Sequence, residues 1–304
     1  MTPPRPAEVQ VEVQGIPMSG LRACVPKPRA TILAVHGGGS AASYFHGLNH
    51  PDQSLLTLAT DLGFNALAFD QPGYAASAGR VEHLDLPARA DLLAGSLTEA
   101  LGSHDWGDGV VLVAHSLGSQ VAAELATRKS WVIGLEISGT GLERNAALSA
   151  SLPAFLVDRS KETRRRTFAA IWGGPGFYPE GTLSRDMTRG SPSPGFELDE
   201  ALTWPKRLPG AVAAIPVPVH LTAAEHEGFW SVTDDALADL AACFTDAPSV
   251  EVIRQPGAPH NISLSLAARA YHLRVLAFAE DCRARAAALT RVVPCGDGRP
   301  ENGR

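Results

Sequence analysis

Apolar and polar positions along this chain follow two rhythms. Residues 9–13 alternate apolar with polar, the pattern of a half-buried strand, and after a Gly/Pro break a second short strand is predicted at 21–25, so that the two form a paired edge. Residues 31–35 and 65–69 are nearly unbroken apolar runs, which suits strands covered on both faces. Between them the pattern turns helical from Pro51 and Asp52, with Leu55, Leu56 and Leu58 inward and Gly63 at the end. A second helix is predicted over 86–101. Val110, Val111, Leu112 and Val113 make another buried strand, which breaks at Ala114-His115-Ser116-Leu117-Gly118, after which Val121, Ala122, Leu125 and Ala126 recur at helical spacing.

A strand at 131–137 ends in Ser138-Gly139-Thr140-Gly141, and there the rhythm stops. Residues 141–205 hold helical pieces around 146–157 and 161–172, then a loop-rich stretch containing Trp172-Gly173-Gly174-Pro175-Gly176. Alternation resumes with a strand at 217–222, a helix at 233–244, a strand at 249–254 and a closing helix at 264–279. Alternating strands and helices predict an α/β fold, a mainly parallel central sheet covered by helices on both faces. The expected organisation is a core of residues 1–140 and 206–285, an insertion at 141–205, and a disordered tail at 286–304 that is rich in Gly, Pro and charge.

Composition narrows the function classes. The chain has 304 residues, 45% hydrophobic and 19% charged, enough to bury a large core. A net charge of −6 without a basic cluster large enough to grip nucleic acid argues against nucleic acid as a partner. The polar, Pro-rich start is not followed by the apolar core of a signal peptide, and no run approaches the ~20 apolar residues of a membrane span. Cys24, Cys243, Cys282 and Cys295 lack the spacing of metal ligands or of a disulfide framework, which predicts free thiols, a cytoplasmic protein and no bound metal or other cofactor.

The chemistry gathers at strand ends, where open parallel sheets place their sites. Ser116 stands at a strand-to-helix corner between the small residues Ala114 and Gly118, where a strained turn projects its hydroxyl above the sheet. A serine nucleophile needs a histidine base, and that base needs an orienting carboxylate. His260 follows the last strand after a short turn, Gln255-Pro256-Gly257-Ala258-Pro259. His36 and His115 also lie at strand ends, but His36 precedes a glycine run and His115, adjoining the serine, is expected to point away. The acid is expected just past the strand at 217–222, where Glu225 and Glu227 both qualify and spacing alone does not choose between them.

Together these segments resemble the α/β-hydrolase fold of serine hydrolases, over about residues 9–279 except the insertion. Ser116 sits in a likeness of the family's nucleophile elbow, with Ala114 replacing the usual first glycine, and Ser116, Glu227 and His260 follow its chain order. Ala224-Glu225-His226-Glu227 resembles the family's Gly-Glu-x-Asp turn, which favours Glu227. His36-Gly37-Gly38-Gly39 is similar to its oxyanion loop, and Asp70-Gln71-Pro72-Gly73-Tyr74 to a turn common in the family.

The resemblance implies acyl transfer from an ester or thioester through a Ser-His-Glu triad, with the N–H groups of Gly38 and Leu117 as oxyanion donors. A serine at the elbow argues against epoxide hydrolases and haloalkane dehalogenases, which use aspartate. The insertion resembles the helical lid that the family places after its sixth strand. Its aromatics (Phe155, Phe168, Trp172, Phe177, Tyr178, Phe196 and Trp204), with Phe229 and Trp230, would line an apolar pocket for a small-molecule substrate, or, as expected for most of them, pack the lid onto the core. Lys161 with Arg164, Arg165 and Arg166 would suit a phosphate or an acidic carrier of the acyl group. Amide or peptide hydrolysis, and a non-hydrolytic ligand receptor, acyltransferase or cyclisation catalyst, stay open as alternatives.

Overall fold

A computed structural model describes residues 4–47, 50–102, 104–146, 161–183 and 193–292. Eight strands form one sheet: β1 (Ala7–Val13), β2 (Ile16–Ala23), β3 (Thr31–Val35), β4 (Asn65–Phe69), β5 (Val110–His115), β6 (Val132–Ser138), β7 (Val219–His226) and β8 (Val250–Pro259), in the spatial order β1-β2-β4-β3-β5-β6-β7-β8. The first two pair antiparallel around Gln14 and Gly15, both at positive φ, as a two-residue hairpin turn requires. β2 also meets β4 antiparallel, and from β4 to β8 every pairing is parallel.

Helices among the described residues include α1 (Leu55–Asp61), α2 (Leu86–Leu101), α3 (Gly118–Arg128), α4 (Lys161–Trp172), α5 (Glu197–Val212), α6 (Asp234–Ala242) and α7 (Ala268–Val292). Alternate residues of the buried strands feed two cores. Leu33, Val35, Leu67, Phe69, Leu112 and Ala114 pack with α2 and α3 on one face, and Ile32, Ala34, Ala66, Ala68, Val111 and Val113 with α1 and α7 on the other. This is why the strands read as continuous apolar runs.

Several boundaries differ from expectation. Pro51–Gln53 form a separate 3₁₀ turn, and the following helix starts after Ser54, whose hydroxyl caps the Thr57 N–H at 3.1 Å. α7 runs to Val292, through residues 286–292 that were expected to belong to a disordered tail. The remainder of that tail with Cys295, most of the helical piece at 146–157 and Phe155 lie outside the described residues.

α5 spans the expected lid-to-core boundary at 205/206 and contains both Pro205 and Pro209. Proline cannot donate to the carbonyl four residues back, so Pro205 leaves the Ala201 C=O free, and Arg144 Nη2 donates to it at 2.7 Å instead. Trp204, expected over the pocket, belongs to the core: it is 1% exposed and donates its indole N–H to Thr140 Oγ1 at 3.1 Å. Phe196 packs beside Val13, Val81 and Leu92, under the Arg89 guanidinium.

Candidate active site

The corner between β5 and α3 holds Ser116 at φ +51, a left-handed conformation that a non-glycine residue adopts only when its surroundings enforce it. The Ser116 N–H donates to the Ser138 carbonyl at 2.8 Å, tying the turn to β6. Gly118 has no room for a side chain, since a Cβ there would lie 2.5 Å from the carbonyl oxygens of both Val35 and His36. Ala114 fits inside β5, paired with Val35 and Ile137 and fully buried.

The glycine loop after β3 passes directly over this turn: a Cβ on Gly37 would meet that of Ser116 at 2.9 Å. His36 anchors the loop. It is fully buried, its Nδ1 donates to the Gly37 carbonyl at 2.7 Å, and its Nε2 accepts the Gln71 N–H at 2.9 Å. Burial holds its imidazole below the usual histidine range, hence neutral, as these two bonds require. Asp70 fixes the next segment by accepting the Ala42 N–H at 2.8 Å and the Ser19 hydroxyl at 2.6 Å. Of the loop amides, Gly39 N–H is engaged by Tyr74 Oη at 2.9 Å, while those of Gly38 and Leu117 donate to no protein group among the described residues.

His260 follows β8 and is 4% exposed. Its Nδ1 lies 2.9 Å from both carboxylate oxygens of Glu227, which follows β7 and is itself buried. A carboxylate accepts, so Nδ1 carries a proton, and in the neutral imidazole Nε2 keeps its lone pair. The Phe229 N–H donates to Glu227 Oε1 at 2.8 Å and steadies the acid. Glu225 faces elsewhere, with its side chain 53% exposed, and accepts the Gly257 N–H at 2.6 Å.

Ser116 and His260 line one cavity of about 440 Å³, together with Gly37, Gly38, Leu117, Ile171, Phe229 and Trp230. An adjoining cavity of about 300 Å³ shares Gly38, Ser40, Ile171 and Asn261 and is bounded by Trp172 and Tyr44. His115 corrects the expectation that it points away. Its ring stacks on Tyr44 at 4.8 Å and leans on His260 at 4.8 Å, at the wall of the larger cavity. Burial, reinforced by His260, holds it far below the usual histidine range.

Three features escape a reading of the sequence alone: Glu197 at the start of α5, which reaches the larger cavity; the Tyr74 hydroxyl, which ties that acid to the glycine loop; and Asn261, which donates to the Ile171 carbonyl at 3.3 Å. Glu197 had no helical periodicity to announce it, because two prolines interrupt the pattern of α5. Among the described residues no group of His, Cys, Asp and Glu is arranged to hold a metal ion, and no helix is long and apolar enough to cross a membrane.

A sequence model described as the alpha/beta hydrolase family matches residues 32–275. A search of curated protein sequences returns no match. Among solved structures the chain is similar to a bacterial membrane phospholipase A described as a virulence factor (18% identity, TM-score 0.67, covering 91% of this chain and 87% of that one). It is similar also to an N-acyl homoserine lactonase, AidH, solved with N-hexanoyl homoserine (17%, 0.64, 91% and 98%), and to a carboxylesterase, CesB, from Bacillus subtilis (16%, 0.63, 91% and 92%). At these identities the likeness is one of fold.

Proposed function

The chain belongs to the alpha/beta hydrolase family and is a hydrolase, and from that premise we propose that it cleaves an ester or thioester of a small, largely apolar acyl group through Ser116, His260 and Glu227. The observation that carries this reading is the grip of Glu227 on His260 Nδ1, at 2.9 Å from both oxygens, on a histidine that shares its cavity with a serine at φ +51.

In this reading, His260 Nε2 takes the Ser116 proton as Oγ attacks the carbonyl carbon, and Glu227 stabilises the imidazolium that forms. The oxyanion of the tetrahedral intermediate accepts the N–H groups of Gly38 and Leu117, both left without protein partners among the described residues. Collapse expels the alcohol or thiol, which takes the proton from His260, and water then releases the acyl group by the same steps in reverse. Donors already in place are worth about 10²–10³ in rate each.

Solved neighbours described as an esterase, a lactonase and a phospholipase support an ester-type carbonyl. The walls formed by Ile171, Phe229, Trp230 and Trp172 support an apolar acyl or alcohol portion. A carrier-bound acyl group has less behind it, since Arg165 of the basic segment pairs with Glu162 at 3.0 Å on an exposed helix face. Free thiols at Cys24, Cys243 and Cys282 fit the cytoplasm. The reading is tested by quenching a reaction with butanoate and hexanoate esters and thioesters in acid and weighing the intact protein. A transient acyl adduct on the peptide bearing Ser116 is expected, and an adduct on another residue would refute the assignment of Ser116.

A further inference from the structure

One carboxyl in the larger cavity has no part in the triad chemistry. Glu197 opens α5, is 6% exposed, and lines the cavity that holds Ser116, His260 and Gly38. Its Oε2 accepts the Tyr74 hydroxyl, and it lies 3.1 Å from where a Cβ on Gly38 would stand, so the acid flanks the loop assigned to the oxyanion. Arg89, which draws on Glu197 electrostatically, forms its own ion pair with Glu200 and stacks over Phe196. Burial pushes the Glu197 carboxyl above the ordinary range, and the hydrogen bonds from Tyr74 and Ser193 oppose that push only in part.

Such an acid is costly in two ways. Burying a carboxylate without a paired cation forfeits its hydration, and a negative charge beside a developing oxyanion opposes the reaction the loop would assist. Both costs fall when the bound molecule itself presents a cation or a strong N–H donor to Glu197. The carboxylate has acceptor positions beyond those that Tyr74 and Ser193 occupy.

We propose that Glu197 binds an N–H group of the substrate, ammonium or amide, so that the enzyme selects acyl compounds carrying nitrogen a few bonds from the reacting carbonyl. The apolar walls at Phe229, Trp230 and Ile171 take the hydrocarbon part of the same molecule. The proposal rests on Ser116 as nucleophile, and it goes further by giving the substrate one nitrogen-bearing end and one apolar end.

The test uses ester pairs that differ only by nitrogen for carbon: ethyl 3-aminopropanoate against ethyl butanoate, and ethyl N-acetylglycinate against ethyl 4-oxopentanoate. In the wild type, kcat/KM is expected to favour the nitrogen member of at least one pair by about tenfold or more, as a charge-assisted hydrogen bond allows. Glu197→Gln should collapse the ammonium preference, and Glu197→Leu both preferences. The ratio within a pair cancels any general loss of activity.

A measurement on the wild type alone covers variants that fail to fold. Butylammonium should protect Ser116 from a fluorophosphonate at about a tenth of the concentration that butan-1-ol needs. Ratios near one in both pairs, ratios unchanged in the Glu197 variants, or equal protection by amine and alcohol would each overturn the proposal. An unlabelled Ser116 with no ester turned over would instead be the failure of the serine-hydrolase reading, on which this one depends.

Discussion

Glu227 meets the Nδ1 of His260 with both of its oxygens at 2.9 Å, whereas Glu225, two residues earlier, turns outward to the Gly257 N–H. Odd and even positions leave a strand on opposite faces, but these two residues share parity, and it is the end of β7 at His226 that separates them. Glu227→Gln presents an amide to an imidazole that must donate from Nδ1, and is expected to lower kcat by roughly two to four orders of magnitude. Glu225→Gln should change kcat less than threefold or so, because an exposed acid that caps one amide is worth little. Steady-state kinetics on one ester decides the matter, and equal losses would contradict the assignment.

Gly118 and Gly38 separate folding from catalysis. A Cβ on Gly118 meets two backbone carbonyl oxygens at 2.5 Å, neither of which can retreat, whereas on Gly38 it meets the ends of two side chains, Leu117 Cδ1 at 2.8 Å and Glu197 Oε2 at 3.1 Å. Gly118→Ala should therefore lose about 1–3 kcal/mol of stability or more in urea unfolding. Gly38→Val should stay folded yet lose about 10²–10³ in kcat as its amide shifts away from the oxyanion. Slow labelling by a phosphonate should survive that change.

Trp204 and Trp172, two aromatics of the inserted segment, part company in the same way. Trp204 is core, packed with Leu208 and Val212, so Trp204→Ala is expected to cost about 3–5 kcal/mol of stability. Trp172 bounds the smaller cavity, and Trp172→Ala should shift chain-length preference toward short acyl groups, at about 25 cal/mol for each Å² of apolar surface that the substrate no longer buries. Matched urea unfolding and ester-series kinetics separate the two roles.

How far these features could be read beforehand follows from local signal strength. The elbow was legible because an apolar strand, a small-x-Ser-x-Gly break and a helical repeat coincide at residues 110–126. Two-sided burial made the central strands plain, since both cores draw on each of them. α5 was hidden because Pro205 and Pro209 look like helix breakers, and only Arg144, far off in sequence, makes Pro205 tolerable by satisfying Ala201. The pairing of Tyr74 with Glu197 is not legible in the sequence for a related reason: their hydrogen bond joins positions 123 residues apart, and no spacing rule reaches that far.

His272 gives stability a pH dependence of known sign. It is fully buried, donating from Nδ1 to the Gln53 carbonyl at 2.7 Å and accepting the Ser263 hydroxyl at Nε2 at 3.0 Å, and burial lowers its pKa to about 4. An unfolded histidine titrates near 6.5, so the unfolded chain takes up the proton first. The stability due to neutral His272 is complete above about pH 6.5 and is lost as pH falls toward 4, by roughly 3 kcal/mol over the window. Urea unfolding between pH 8 and 4 should show His272→Asn less stable at pH 8 but flatter with pH by that amount. Lowered His36 and His115 keep part of the slope in both proteins. Identical slopes would show that His272 is not held neutral.

The central claim is that Ser116 alone is the nucleophile, and it is tested most directly by intact-mass analysis after treatment with a fluorophosphonate, in the wild type and in Ser116→Ala. Ser116 occupies the strained corner at φ +51, at the wall of a cavity it shares with His260. The account predicts one phosphonyl group per chain on the wild type, located on the peptide that carries Ser116, and none on the folded variant, which should also lose ester turnover. Labelling or turnover that persists in Ser116→Ala would contradict it.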